Sequence, residues 1–147
     1  MNLLAANGYM GNKCNRDCPV DISFHEGYIP SVAWEVEFTD EFEHWWESLS
    51  HAEQEEISAK VELLEERGPV LPRPHSDVIK SSRHANMKEL RGSVNEQQLR
   101  VLYAFDPRRT AILLIGGDKS GNPKWYNEFV PKADDLFDEH LRQIKGL

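Results

Sequence analysis

The sequence lacks any run of apolar residues near the roughly 18–20 that a membrane-spanning helix requires, and its N-terminus lacks the basic stretch and apolar stretch of a secretion signal. Both absences point to a protein of the cytoplasm with no membrane partner. Cysteine is scarce. Only Cys14 and Cys18 occur, close together near the start, which excludes a disulfide framework. With His25 they make three potential metal ligands, one fewer than a structural zinc site takes, and no second Cys or His pair follows at finger-like spacing. No metal and no other cofactor is therefore expected. A phosphate-binding loop is missing too, because Gly116-Gly117-Asp118-Lys119-Ser120 does not have the Gly-x4-Gly-Lys-Ser/Thr spacing.

Positive charge is also in short supply: 17 Lys and Arg stand against 25 Asp and Glu, a net charge of -8, which on its own argues against a polyanionic ligand. The distribution changes that reading. Residues 1–66 carry a net charge of -12, residues 67–127 carry +6 and the remainder carries -2, so one basic segment is set in an acidic chain. It also holds His75 and His84. A basic surface opposite an acidic one follows.

What is present is enough for one packed domain: 147 residues, 39% hydrophobic, with four Trp and six Phe. Residues 1–31 show no sustained period and read as an N-terminal extension, which leaves 32–147 as the domain. Val32, Trp34, Val36 and Phe38 alternate with polar residues, the period of a half-buried strand. Asp40 with Glu43, and Ser50 with Glu53, have capping-box spacing ahead of two apolar stripes that include Trp45 and Trp46 and end at Gly68-Pro69. Two short helices joined so closely must form a hairpin.

Pro69, Pro72 and Pro74 rule out regular helix over residues 68–75. Three strand-like runs follow, Met87–Arg91, Leu99–Phe105 and the wholly apolar Ala111–Ile115, the last expected inside the sheet. A third helix is expected from Pro131, with Leu136, Phe137, Leu141 and Ile144 on its apolar face. This order predicts an α+β fold of two layers, an antiparallel four-stranded sheet with an N-terminal helical hairpin and a C-terminal helix, helices mainly on one face.

The basic residues Lys80, Arg83, Lys88, Arg91, Arg100, Lys119 and Lys124 fall on the strands and loops after the prolines, and Trp125-Tyr126 follow. Cations beside aromatic rings suit single-stranded nucleic acid, neutralising phosphates while rings stack on unpaired bases. The same residues also fit a merely solvated basic face.

The pattern Asn86-Met87-Lys88-Glu89-Leu90-Arg91, then Leu99 to Phe105, Ile115-Gly116-Gly117-Asp118-Lys119 and Trp125-Tyr126 resembles the core of the RelE/ParE toxin superfamily, most closely its HigB-related group. The resemblance spans roughly residues 32–146. It implies a toxin of a type II toxin–antitoxin pair that cuts mRNA on the ribosome, and a partner antitoxin, of helix-turn-helix type, through which alone it meets operator DNA. It assigns catalytic roles to Arg91, Lys119, Tyr126 and Lys80, and RNA contacts to Arg83, His84, Lys88, Arg100, Lys124 and Trp125. His84 is an alternative base. Two further readings stay open: a gyrase-poisoning member of the ParE branch, and a non-catalytic module that only binds its antitoxin. Members of this family are commonly basic, and the acidic helix pair departs from that.

Overall fold

The computed structural model describes residues 33–145, so the N-terminal extension, Cys14, Cys18 and His25 lie outside the described residues. The described chain runs β1 (Val36–Phe38), α1 (Asp40–Glu47), α2 (His51–Arg67), a 3-10 turn (Gly68–Val70), β2 (Ser76–Val78), β3 (Lys88–Val94), β4 (Gln97–Phe105), β5 (Ala111–Asp118) and α3 (Trp125–Lys145). The class is α+β. Five strands form one sheet in the order β1-β5-β4-β3-β2.

Two details of the sheet differ from the expectation of four antiparallel strands. β1 lies parallel to β5, with Val36 opposite Ala111, because periodicity reports which face is buried and carries no strand direction. The fifth strand, β2, pairs antiparallel with β3 at an edge directly after the prolines, where a chain of three residues is too short to show a period. Its Ser76 hydroxyl shares a 2.6 Å hydrogen bond with the buried Tyr103 phenol of β4. β5 is an inner strand, as its apolar run implied.

Helices cover both faces, not one. On the first, Phe42 and Trp46 of α1 and Ile57, Val61 and Leu64 of α2 pack on Leu90, Leu99, Val101, Tyr103 and Leu113. On the second, Trp125, Val130, Ala133 and Phe137 of α3 pack on Met87, Leu102, Ala104, Ile112 and Leu114. α3 begins two turns ahead of Pro131, which lies inside it. Its apolar stripe runs back to Trp125, and a proline on the exposed side leaves its missing hydrogen bond to water.

The hairpin follows its capping chemistry. Ser50 and Glu53 form the reciprocal box that opens α2. α1 is capped one residue earlier than expected, by Thr39, whose hydroxyl accepts from the Phe42 N–H at 3.0 Å and donates to the Leu114 carbonyl at 2.6 Å. A carboxylate at this position has no proton to donate, so threonine ties the helix start to β5 where aspartate cannot.

Candidate functional site

β3 and β4 meet in an antiparallel register that sets Arg91 directly opposite Arg100. Alternation then puts Glu89, Arg91 and Arg100 on the face that α3 covers, while Leu90, Leu99 and Val101 enter the hairpin core. β5 carries an irregularity: Leu102 pairs with Ile115 and Tyr103 with Leu113, leaving Leu114 unpaired. That extra residue shifts the alternation, so Gly117 rather than Gly116 faces α3 opposite Arg100. The space is needed. A Cβ on Gly117 would lie 2.7 Å from Nε1 of Trp125, whose buried ring starts α3 and stacks on Phe129.

With Trp125 as its base, the first turn of α3 holds Tyr126 over the arginines. Glu89, only 3% exposed, is the hub. Its Oε1 accepts from the Tyr126 hydroxyl at 2.7 Å and lies 3.6 Å from Arg100 Nε, and its Oε2 accepts from Arg91 Nε at 3.0 Å. Arg91 also donates to Asp77 of β2 at 3.1 Å, a carboxylate shared with Arg73 at 3.0 Å. Lys119 Nζ stands 6.0 Å from the centre of the Tyr126 ring. Burial raises the Tyr126 pKa, and its hydrogen bond to Glu89 raises it further, so the phenol keeps its proton at neutral pH. Asp77 is lowered by the hydrogen bond from Arg73 and by that from the Val78 N–H. Two buried donors here have no acceptor, Arg100 Nε and Trp125 Nε1.

Four cations thus surround two carboxylates on the open end of the α3 face, an arrangement able to receive an anion. Like charges set directly opposite on neighbouring strands cost roughly 0.2–1 kcal/mol, which Glu89 offsets from below. Of the residues expected from sequence, the structure brings together Arg91, Arg100, Lys119 and Tyr126. Glu89 and Asp77 were missed, although Glu89 stands two residues from Arg91 and so had to share its face.

The others lie elsewhere. Trp125, expected as an RNA contact, is only 2% exposed, and its ring stacks on Phe129. Lys88 points to the hairpin face and donates to the Pro69 carbonyl at 2.7 Å, one residue out of step with Glu89. Lys80 follows Ile79, which bonds to Met87, and is therefore at the far end of β2 from His75, the residue bonded to Arg91. Arg83 and His84 belong to a separate clasp on α3: Arg83 pairs with Asp135 and Asp138, His84 lies 2.8 Å from Asp138, and Ser82 donates to Asp134. Lys124 is exposed just ahead of α3.

A third polar cluster ties α3 to the β4–β5 turn. The buried Asp106 accepts from the N–H groups of Arg108 and Thr110 and from Arg108 Nε, and lies 2.8 Å from His140. Burial raises its pKa, but the hydrogen bonds from His140, Arg108 and Thr110 together outweigh it and leave the carboxyl lowered. Among the described residues no group of three or more His, Cys, Asp or Glu side chains is arranged to hold a metal, and no helix is long and apolar enough to cross a membrane.

Residues 44–138 match the family described as Phage derived protein Gp49-like (DUF891). The chain is 43% identical over 117 residues to a Mycobacterium tuberculosis protein bearing the toxin name HigB2, covering 78% of this chain and 58% of that protein. It is 42% identical over 105 residues to a second from the same organism bearing the name HigB3, covering 71% of this chain and 90% of that one. It thus spans little more than half the length of the first relative. A chain of the crystal structure of the archaeal RelE–RelB complex from Pyrococcus horikoshii is similar at TM-score 0.46 and 21% identity, covering 60% of this chain and 98% of that one. The family match and the two relatives agree: this chain belongs to the Gp49-like family, together with the proteins that bear the HigB toxin name.

Proposed function

We propose that this chain is the toxin of a type II toxin–antitoxin pair and that it inhibits translation by cutting mRNA on the ribosome. The single observation that carries the reading is the Arg91–Arg100 pair on the α3 face, with Tyr126 and Lys119 beside it. RNA brings its own nucleophile, the 2′-hydroxyl, so the protein has to position the phosphate, offset charge on the phosphorane and manage two protons. Arg91, whose fork now engages Glu89 and Asp77, would exchange the half-buried Asp77 contact for phosphate oxygens. Arg100 supports the same oxygens from below.

As the 2′-oxygen attacks phosphorus, its proton passes to a base, the P–O5′ bond breaks, and the leaving oxygen takes a proton from an acid. Lys119, near Tyr126, is the acid in this reading. Tyr126, held as a neutral phenol, stacks on or hydrogen-bonds the RNA and does not act as a phenolate. Lys80 is left out because it lies at the other end of β2. The partner antitoxin, of helix-turn-helix type, would mask this face and link the pair to operator DNA.

The test is inducible expression of the full chain in bacteria, with and without the neighbouring gene, followed by mapping of mRNA 5′ ends. New cuts in translated messages, lost in Arg91→Ala and suppressed by the neighbour, are expected. Arrest without cuts would replace this reading with gyrase poisoning, and no arrest would replace it with an antitoxin-binding module.

A further inference from the structure

The acidic hairpin has no part in the site above, and it borders an open groove of about 600 Å³. Trp45, Ile115, Gly116 and Phe129 line its floor, and Asp40, Glu41 and His44 stand along its rim. The floor crosses an unpaired sheet edge. β1 covers β5 only at Ala111, Ile112 and Leu113, Thr39 caps the carbonyls of Leu113 and Leu114, and from Ile115 to Asp118 no strand of the described residues lies on that side. A bare edge is a template for a further strand unless a protein covers it.

We propose that this groove takes an extended basic segment of a partner protein, added as a strand to the open edge of β5 between α1 and α3. Three observations fix that chemistry. The uncovered edge, the four residues Ile115–Asp118 at about 3.3 Å each, matches one short strand. The rim is acidic and continues into a smaller cavity of about 340 Å³ lined by Glu37, Asp40, Glu41 and Glu139, so cationic side chains are attracted and RNA phosphates are repelled. The two sides of the edge also differ. Gly116 faces Trp45 of α1, next to the carboxylates, and Ile115 lies on the α3 side with Phe129. A strand with lysine or arginine toward α1 and apolar side chains toward α3 satisfies both, the cationic stems lying along the Trp45 ring. The inference does not depend on RNA cleavage.

The probe is a seven-residue capped peptide that alternates Lys with Val and Ile, and its control has Glu in place of Lys. Binding to the full-length chain is followed by anisotropy and by amide NMR. The Lys peptide is expected to bind at least about tenfold more tightly than the Glu peptide, less tightly at high salt, with shifts confined to Ile115–Asp118, Trp45 and Phe129. Asp40→Asn with Glu41→Gln should weaken it about threefold or more, and Asp40→Lys with Glu41→Lys about tenfold, with the fold checked by circular dichroism. N-methylation of alternate peptide amides supplies a test free of folding effects: one register should abolish binding and the other should leave it within about threefold, because only one row of amides can face β5. Equal binding of both peptides, no binding at about 1 mM, shifts centred on Arg91 and Arg100, identical behaviour of the two methylated registers, or self-association of the chain through this groove would each overturn the proposal.

Discussion

Replacing Glu89 by Gln tests whether one buried carboxylate organises the site. The side chain keeps its length and one amide oxygen, so what is lost is charge. Hydrogen bonds to a charged group contribute about 1.5–3 kcal/mol each, and Glu89 accepts two, from Arg91 and Tyr126. Water recovers part of the Arg91 term, since that side chain is 34% exposed. The Arg100 term is different: its side chain is 10% exposed and Glu89 is its one ion-pair partner among the described residues. Breaking a buried pair by removing one member costs about 3–5 kcal/mol, because the surviving charge stays desolvated. The amide oxygen of Gln returns some of this, so about 3 kcal/mol of destabilisation is expected, or a fall in Tm of roughly 10–15 °C for a domain of this size.

The assay is urea unfolding of the full chain, wild type against Glu89→Gln, with Glu96→Gln in the exposed β3–β4 turn as control. The control should move by less than about 0.5 kcal/mol. The slope on denaturant should stay constant, since the same surface is exposed on unfolding. A loss below about 1 kcal/mol for Glu89→Gln would refute the reasoning, because Arg100 would then be solvated or paired without Glu89.

Three further outcomes follow from the same geometry. Arg91→Ala should reduce mRNA cleavage by about a hundredfold or more, as loss of a charge-stabilising donor does, while Lys88→Ala on the opposite face should stay within about twofold; equal losses would mean that the sheet face does not sort these residues. Gly117→Ala should cost about 1–3 kcal/mol by forcing Trp125 out of its seat, measured by thermal melting and tryptophan fluorescence; an unchanged melting temperature would show that the ring yields freely. Asp106 is depressed below its usual 3.8, so its stabilisation is complete above about pH 4 and is lost as pH falls through the lower folded-state value. Unfolding free energy measured below about pH 4 should therefore fall less steeply in Asp106→Asn than in wild type, and identical slopes would show that the His140–Arg108 cluster does not hold the charge.

The helical hairpin was legible because its signals are local: a capping box at Ser50 and two apolar stripes ending at Gly68-Pro69. α3 was misread at its start because Pro131 satisfies the rule for a first-turn proline, and the longer apolar stripe back to Trp125 was the better guide. The site was half legible for a similar reason. The strand-like runs in the sequence stop at Arg91 and resume at Leu99, whereas the strands continue to Val94 and from Gln97, with Asn95 in the left-handed region at φ +56°. Placing the two-residue turn there sets Val94 opposite Gln97, and three rungs back Arg91 meets Arg100. Lys80, Lys88 and Arg83 joined the list through the charge of their segment and the family resemblance, and neither says which face a side chain takes.

The same distinction answers the objection raised by a net charge of -8. The carboxylates of α1 and α2 sit beyond the hairpin face of the sheet, and packed layers stand about 10 Å apart. Through solvent, fields fade over about 8 Å at physiological salt. Arg91 and Arg100 therefore present a phosphate mainly with their own surroundings, in which Arg73 and Lys119 outnumber what Glu89 and Asp77 cancel. Under the proposed function, RNA would approach such an acidic protein from the side of α3 and be repelled from the hairpin side. The acidity that argued against a nucleic-acid ligand becomes a constraint on its orientation and leaves the hairpin side to partners of opposite charge.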